Sequence, residues 1–254
     1  MNNIRETLLF VHGWATDNTV WKRQIAAFSD NYRCLAPNLP GHGNNLRWSD
    51  PTIGPAVGMI LRVLEKEHHG ETVAVGWSLG AQVILQAALL KPGCFKAVIL
   101  VGATPRFVKA KDFPWGQTRG VTGRMEKDLK SDFTATLNGF YALNFTPREG
   151  LTGEAQSFVS HYAAQSATLH QASLLASLGA LVTTDLRADL NRLSVPALVI
   201  HGDADQIVPP GAGAYLAEQI PVARLDTFSE TGHIPFLTRT ERFNSAVENF
   251  LGEL

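Results

Sequence analysis

The stretch TVAVGWSLGAQV, residues 72–83, decides the reading of the fold. A β-forming run over Thr72–Gly76 meets Gly-Trp-Ser-Leu-Gly, and an apolar helical run follows over Ala81–Leu90. A serine between two glycines at a strand-to-helix junction is predicted to sit in a tight, strained turn. Side chains at positions 76 and 80 would collide there with the strand and the helix. The turn lifts the Ser78 hydroxyl off the sheet and sets it at a helix N-terminus. There, free N–H groups and the helix dipole favour a developing negative charge. Ser78 is therefore the candidate nucleophile.

Outward from this junction, TLLFV (7–11), RCLA (33–36), AVILV (97–101), ALVIH (197–201) and ARLDTF (223–228) read as further strands. Most are continuously apolar, as suits strands buried on both faces of a mostly parallel sheet. Helical patterns over about 18–28, 54–67, 80–90, 211–219 and 239–252 alternate with them, which predicts an α/β fold with right-handed crossovers. One interval breaks the rhythm. Between Pro105 and Asp189 there is no convincing strand, whereas 123–145, 154–165 and 169–186 have helical spacing. The expected organisation is a core over 1–104, a helical cap over 105–189 and the rest of the core over 190–254. Gly116, Gly120 and Gly123 predict a mobile entrance to that cap. Residues 106–130 hold seven Lys/Arg against three acids, a local charge of +4 in a chain of net charge −1.

Composition narrows the function. With 254 residues, 45% of them hydrophobic, the chain can bury a sizeable core. A balanced charge argues against a nucleic-acid partner. No apolar run approaches the roughly 20 residues of a membrane span. The first residues lack the order of a signal peptide, so a cytoplasmic protein is expected. Cys34 and Cys94 form no CxxC pair and no metal-ligand spacing, and are expected to be free thiols.

Serine is a weak nucleophile without a base. Of the eight histidines, His233 is best placed, in SETGHIPF after the last strand, because sites on such sheets gather outside the carboxyl ends of the strands. His68 and His69 end a polar helix and read as solvated, His161 and His170 belong to the helical insertion, and His12 and His42 read as structural loop residues. ALVIHGDADQIVPP offers two acids to orient the base. Asp205 is assigned this role and Asp203 is taken as a turn former, which gives the chain order Ser, Asp, His. The N–H groups of Leu79, after the nucleophile, and of Trp14, after the first strand, are the candidate oxyanion donors.

Taken together, HGW (12–14), PGHG (40–43), GWSLG (76–80), HGxxDxxVP (201–209) and GH (232–233) resemble the α/β-hydrolase superfamily along the whole chain. The tryptophan of HGW, GWSLG rather than GxSMG, LNGFYALNF (137–145) and GHIPF (232–236) are similar to the BioH-type pimeloyl-[acyl-carrier protein] methyl ester carboxylesterases of biotin synthesis. The resemblance implies a Ser78–His233–Asp205 triad, an oxyanion pair of Trp14 and Leu79, and Trp14 and Phe140 against the acyl chain. It implies no cofactor and no metal. It also implies a substrate carried on an acidic carrier protein, docked on basic cap residues among Arg119, Arg124, Lys127, Lys130 and Arg148. A monomer with no membrane association is expected. Two departures stand out. HG begins at residue 12, which leaves little room for the family's N-terminal hairpin and predicts about six strands. Asn38 takes the place of an aspartate. The residues also leave open a broad short-chain carboxylesterase or a C–C bond hydrolase with the same triad, or a ligand-binding receptor on the same fold. A dehalogenase would need aspartate at position 78.

Overall fold

The computed structural model describes residues 6–45, 47–66 and 72–254. His68 and His69 lie outside the described residues. Six strands form one sheet in the order β2-β1-β3-β4-β5-β6, and every pairing is parallel. They are β1 (Thr7–Val11), β2 (Arg33–Leu35), β3 (Thr72–Trp77), β4 (Ala97–Val101), β5 (Ala197–Gly202) and β6 (Ala223–Phe228). All six match the expected runs to within a residue, and "mostly parallel" becomes wholly parallel. Residues of β1, β3, β4 and β5 are all buried, as their unbroken apolar sequences require. β2 and β6 flank the sheet and are partly exposed.

The register aligns Val11 with Gly76, Trp77 with Val101, and Val101 with Ile200. The carboxyl ends of β1, β3, β4 and β5 therefore reach one edge together. The chain runs outward from β1 to β2 and returns to β3 on the opposite side of β1. The crevice at the ends of β1 and β3 is thus the switch point where sites form on such sheets.

Helices α1 (Lys22–Phe28), α2 (Gly54–Glu65), α3 (Leu79–Leu90), α8 (Pro210–Gln219), the short α9 (Pro235–Thr238) and α10 (Thr240–Leu251) flank the sheet. In α10, Phe243, Val247, Phe250 and Leu251 are buried, the i, i+4, i+7, i+8 stripe of a helix with one face on a core. In α3 nine of twelve residues are buried, which accounts for its apolar character all round.

Between β4 and β5 run α4 (Arg119–Ser131), α5 (Phe133–Leu143), α6 (Gly153–Gln165) and α7 (Gln171–Thr183). The predicted 123–145 helix is in fact two, because Asp132 closes one and opens the next. Its backbone N–H bonds to Asp128 O, while its carboxylate accepts from Ala135 N. Thr118, Thr152 and His170 cap α4, α6 and α7 in the same way. Of the three glycines at the expected mobile entrance, Gly116 stands in a hydrogen-bonded loop. Gly116 is buried where a Cβ would lie 2.6 Å from Lys109 N, and Lys109 N and Gln117 N bond across the loop to Gln117 O and Phe107 O. Gly120 and Gly123 lie within α4.

Candidate active site

Ser78 sits between β3 and α3 with φ 54° and ψ −115°. A non-glycine residue there stores on the order of 1–3 kcal/mol of strain. Neighbouring backbone holds it: Ser78 N donates to Val101 O (2.9 Å), and its carbonyl accepts from Ala81 N and Gln82 N. The flanking glycines are needed for close approach. A Cβ on Gly80 would lie 2.3 Å from Val11 O and 2.5 Å from His12 O, and one on Gly76 would lie 2.7 Å from Ala81 Cα. The end of β1 can therefore press against the start of α3, which carries the Trp14 loop to the serine turn. Leu79 is the first helical residue of α3, a position whose N–H has no intrahelical acceptor.

The loops after β5 and β6 bring Asp205 and His233 together. His233 Nδ1–H donates to Asp205 Oδ2 at 2.6 Å, and both side chains are buried. With the proton on Nδ1, Nε2 is left as an acceptor on the far side of the ring, and it is buried without a partner. Asp205 Oδ1 accepts from Ile207 N and Val208 N (2.9 Å each), and His201 Nε2 lies 3.3 Å from Oδ2. Burial by itself would raise the Asp205 pKa. The neighbouring His233 and the hydrogen bonds from His201 and His233 outweigh it and hold the carboxyl well below the usual range. Asp203 is exposed. Ser78 Oγ makes no hydrogen bond to His233 Nε2 in this structure, a looseness ordinary in ligand-free pairs of this kind.

Helices α5 and α7 hold the loop after β1 from above. Trp14 Nε1 donates to Leu174 O and Ser177 Oγ (3.1 Å each), and Tyr141 Oη donates to Ala15 O (2.9 Å), where Ala15 has φ 59°. Below, His12 Nδ1–H donates to Gly13 O and its Nε2 accepts from Leu39 N, while His42 Nδ1–H donates to Pro40 O. Burial pushes His12 down to about 3, helped by His42, and pushes His42 down to about 4. Both rings are neutral scaffolding. A narrow apolar cleft of about 20 Å³ opens onto Ser78, lined by Trp14, Phe107, Met125, Phe140 and Leu178 among others. The Trp14 and Phe140 rings meet edge-on at 4.9 Å. A roomier groove between residues 19–23 and α6 contains none of Ser78, Asp205 or His233 and is open to solvent.

A family model described as the alpha/beta hydrolase fold matches residues 6–240. The chain belongs to the α/β-hydrolase family. A pimeloyl-[acyl-carrier protein] methyl ester esterase of Nitrosomonas europaea is 35% identical over 245 residues, covering 95% of this chain and 94% of the relative. One of Aeromonas hydrophila is 30% identical over 250 residues, covering 96% and 95%. Among solved structures, an esterase from Exiguobacterium antarcticum superposes with a TM-score of 0.90 at 24% identity, over 97% of this chain and 92% of that one. This α/β hydrolase is an ester hydrolase.

The remaining candidates of this α/β hydrolase fall outside the convergence. Arg119, Arg124, Lys127 and Lys130 are exposed on α4. Arg124 pairs with Asp128 and Lys130 with Glu126 within the helix, and Arg148 pairs with Glu230 (3.6 Å). His161 is exposed, and His170 serves as the α7 cap. Neither Cys34 nor Cys94 forms a disulfide among the described residues. No helix among the described residues is long and apolar enough to cross a membrane.

Three participants escaped sequence reasoning: His201, Tyr141 and Glu149. His201 stands inside HGxxD, so that motif carried its signal. Tyr141 meets Ala15 and Glu149 meets Gly232 across more than 80 residues of sequence; the only local signal is the Thr146-x-x-Glu149 pairing, which marks a turn and not a link to the His233 loop.

Proposed function

We propose that this α/β hydrolase cleaves the methyl ester of pimeloyl-acyl carrier protein, a cytoplasmic step of biotin synthesis, acting as a monomer through Ser78, His233 and Asp205. The observation that carries the reading is the buried 2.6 Å bond from His233 to Asp205, which leaves Nε2 as a free acceptor. The names of the full-length relatives supply the substrate.

In this reading His233 Nε2 takes the Ser78 proton as Oγ attacks the ester carbonyl. The N–H groups of Trp14 and Leu79 receive the oxyanion, and one such donor is worth about 3–4 kcal/mol. Asp205 stays ionised and stabilises the imidazolium. The tetrahedral intermediate collapses, methanol leaves with the proton from His233, and Ser78 carries the acyl group. Water, giving its proton to His233, then releases the free acid and restores the serine. Residues 105–189 act as the cap, and the acyl chain lies in the apolar cavity against Trp14 and Phe140. A methyl group offers little to recognise, so specificity rests on that chain and on carrier docking along α4.

A second reading, a general short-chain esterase, draws support from the internal pairing of Arg124 and Lys130, which reduces the charge free for a carrier protein. Steady-state hydrolysis of pimeloyl-carrier methyl ester beside p-nitrophenyl esters of graded length, for wild type and Ser78→Ala, separates the two. Preference for the carrier ester, abolished by the substitution, is expected. Fast turnover of short free esters alone would favour the second reading, and full activity of Ser78→Ala would overturn both.

A further inference from the structure

Glu149 is a buried carboxylate with no cation beside it among the described residues. Its Oε2 accepts from Thr146 N and Gly232 N (2.9 Å each), and its Oε1 accepts from Thr238 Oγ1 (2.6 Å). A buried carboxylate without a counter-charge is costly and persists only when its hydrogen bonds are complete. The donors here come from three separate places: its own turn, the loop after β6, and α9.

The middle one matters most, because Gly232 is the residue before His233. A Cβ on Gly232 would lie 2.5 Å from Asn144 O and 3.1 Å from Glu149 Oε2, so the loop is pressed directly against the 144–149 segment. His233 N itself donates to Asn144 O (2.8 Å), and Trp77 Nε1 donates to His233 O (2.8 Å). Along the ring, Asp205 fixes Nδ1. The backbone behind the ring is thus gripped at three points, one of them the Glu149 carboxylate.

We propose that Glu149 is a positioning residue for His233, acting through the Gly232 N–H to aim the imidazole between Asp205 and Ser78. The inference rests on the reading of His233 as the base. A sub-ångström drift of that loop would degrade proton transfer while leaving the apolar cavity, and so substrate binding, in place. The charged and titratable groups around this corner are Asp205 and His201 on the sheet side and the exposed Arg148–Glu230 pair outside. None of them accepts from Gly232 N in place of the Glu149 carboxylate.

The test compares Glu149→Met, which keeps length but removes the acceptors, with Glu149→Gln, whose amide oxygen can still accept from Gly232 N. Rates are expressed per active site titrated with a fluorophosphonate. The Met variant is expected to lose about 10- to 100-fold in kcat, the scale of a small misplacement of a reacting group, with KM within about twofold. The low-field proton resonance of the His233–Asp205 hydrogen bond is expected to broaden or vanish in it. The Gln variant is expected to recover kcat to within about threefold of wild type. A merely structural role would lower the thermal midpoint and the yield of titratable sites, but leave kcat per site and the resonance unchanged. That result, or a Gln variant as impaired as Met, overturns the proposal. Should the Met variant not fold, Thr238→Val, which removes only the hydroxyl on Oε1, carries the test. It is expected to lose about three- to tenfold in kcat, the scale of one hydrogen bond, and an unchanged kcat and resonance would overturn the proposal. Full activity in Ser78→Ala would instead refute the catalytic reading, while the resonance would still report the Glu149–His233 link without any turnover.

Discussion

Lowering the pH from 7.5 to 5 should destabilise the fold through two histidines that take no part in the chemistry. His12 and His42 are fully buried beneath the Trp14 loop, with folded pKa values of about 3 and about 4 against 6.5 for the free side chain. Their folded values lie below the unfolded one, so the unfolded chain binds protons first as the pH falls. The stability they allow is present above pH 6.5 and is lost progressively as the pH drops from there toward 4. At pH 5, about 1.5 units below 6.5, each costs about 2 kcal/mol at 1.36 kcal/mol per unit, or about 4 kcal/mol together. For a chain of this size that corresponds to a fall in thermal midpoint of about 10 °C. Asp205 and Asp185, both held low, give up stability only below about pH 4.5 and leave this window to the histidines. Thermal and urea unfolding at pH 7.5 and 5, at fixed ionic strength, measure the loss. His42→Asn, whose side-chain amide can replace the donor to Pro40 O, should remove about half of it. Stability at pH 5 within about 1 kcal/mol of that at pH 7.5, or a full loss persisting in His42→Asn, would refute the reasoning.

Asp205→Asn should keep the fold but lower kcat by about 10⁴, because an amide can favour the wrong tautomer of His233; steady-state kinetics with a p-nitrophenyl ester reads this directly. Tyr141→Phe should cost about 1–3 kcal/mol by leaving the buried Ala15 carbonyl unpaired, and urea unfolding measures it. It should also reduce kcat, since Ala15 follows the proposed oxyanion donor. Reversing Arg119 and Lys127 to glutamate should weaken kcat/KM for the carrier-bound ester and steepen no salt dependence for free esters; equal effects on both substrates would count against docking on α4.

The sheet was legible because its four central strands are buried throughout, and continuous apolar runs such as AVILV carry that burial directly into the sequence. The Ser78 turn was legible because close packing against Val11 O and Ala81 leaves only glycine possible at positions 80 and 76. The pairing of Asp205 with His233 followed from topology, as both stand past the carboxyl ends of adjacent parallel strands. Boundaries inside the helical insertion were less visible. Asp132 has the composition of an ordinary helical surface residue, and only its double capping role splits α4 from α5. The packing role of Gly116 was not legible, because glycine serves both freedom and close approach, and only the surrounding backbone tells them apart. The link of Glu149 to the His233 loop was invisible for a different reason: beyond its local partner Thr146, it is set by Gly232 and Thr238, more than 80 residues away.

These long-range contacts constrain how the site can admit an ester. The loop after β1 is tied to α7 through Trp14 and to α5 through Tyr141. The loop after β6 is tied to the segment following α5 through Asn144 and Glu149. A rigid swing of all four helices away from the sheet would break these bonds at once. It would release both the candidate oxyanion donor and the candidate base from behind. An opening that leaves the chemistry assembled must therefore keep α5 and α7 seated. α4 is tied less directly to these loops: among the described residues its hydrogen bonds run within itself, to its own Thr118 cap, and from Gln171 to Leu129 O, and it contributes Met125 to the cavity wall. The helix that carries the exposed basic residues is thus also the one whose displacement costs the fewest contacts with the catalytic loops.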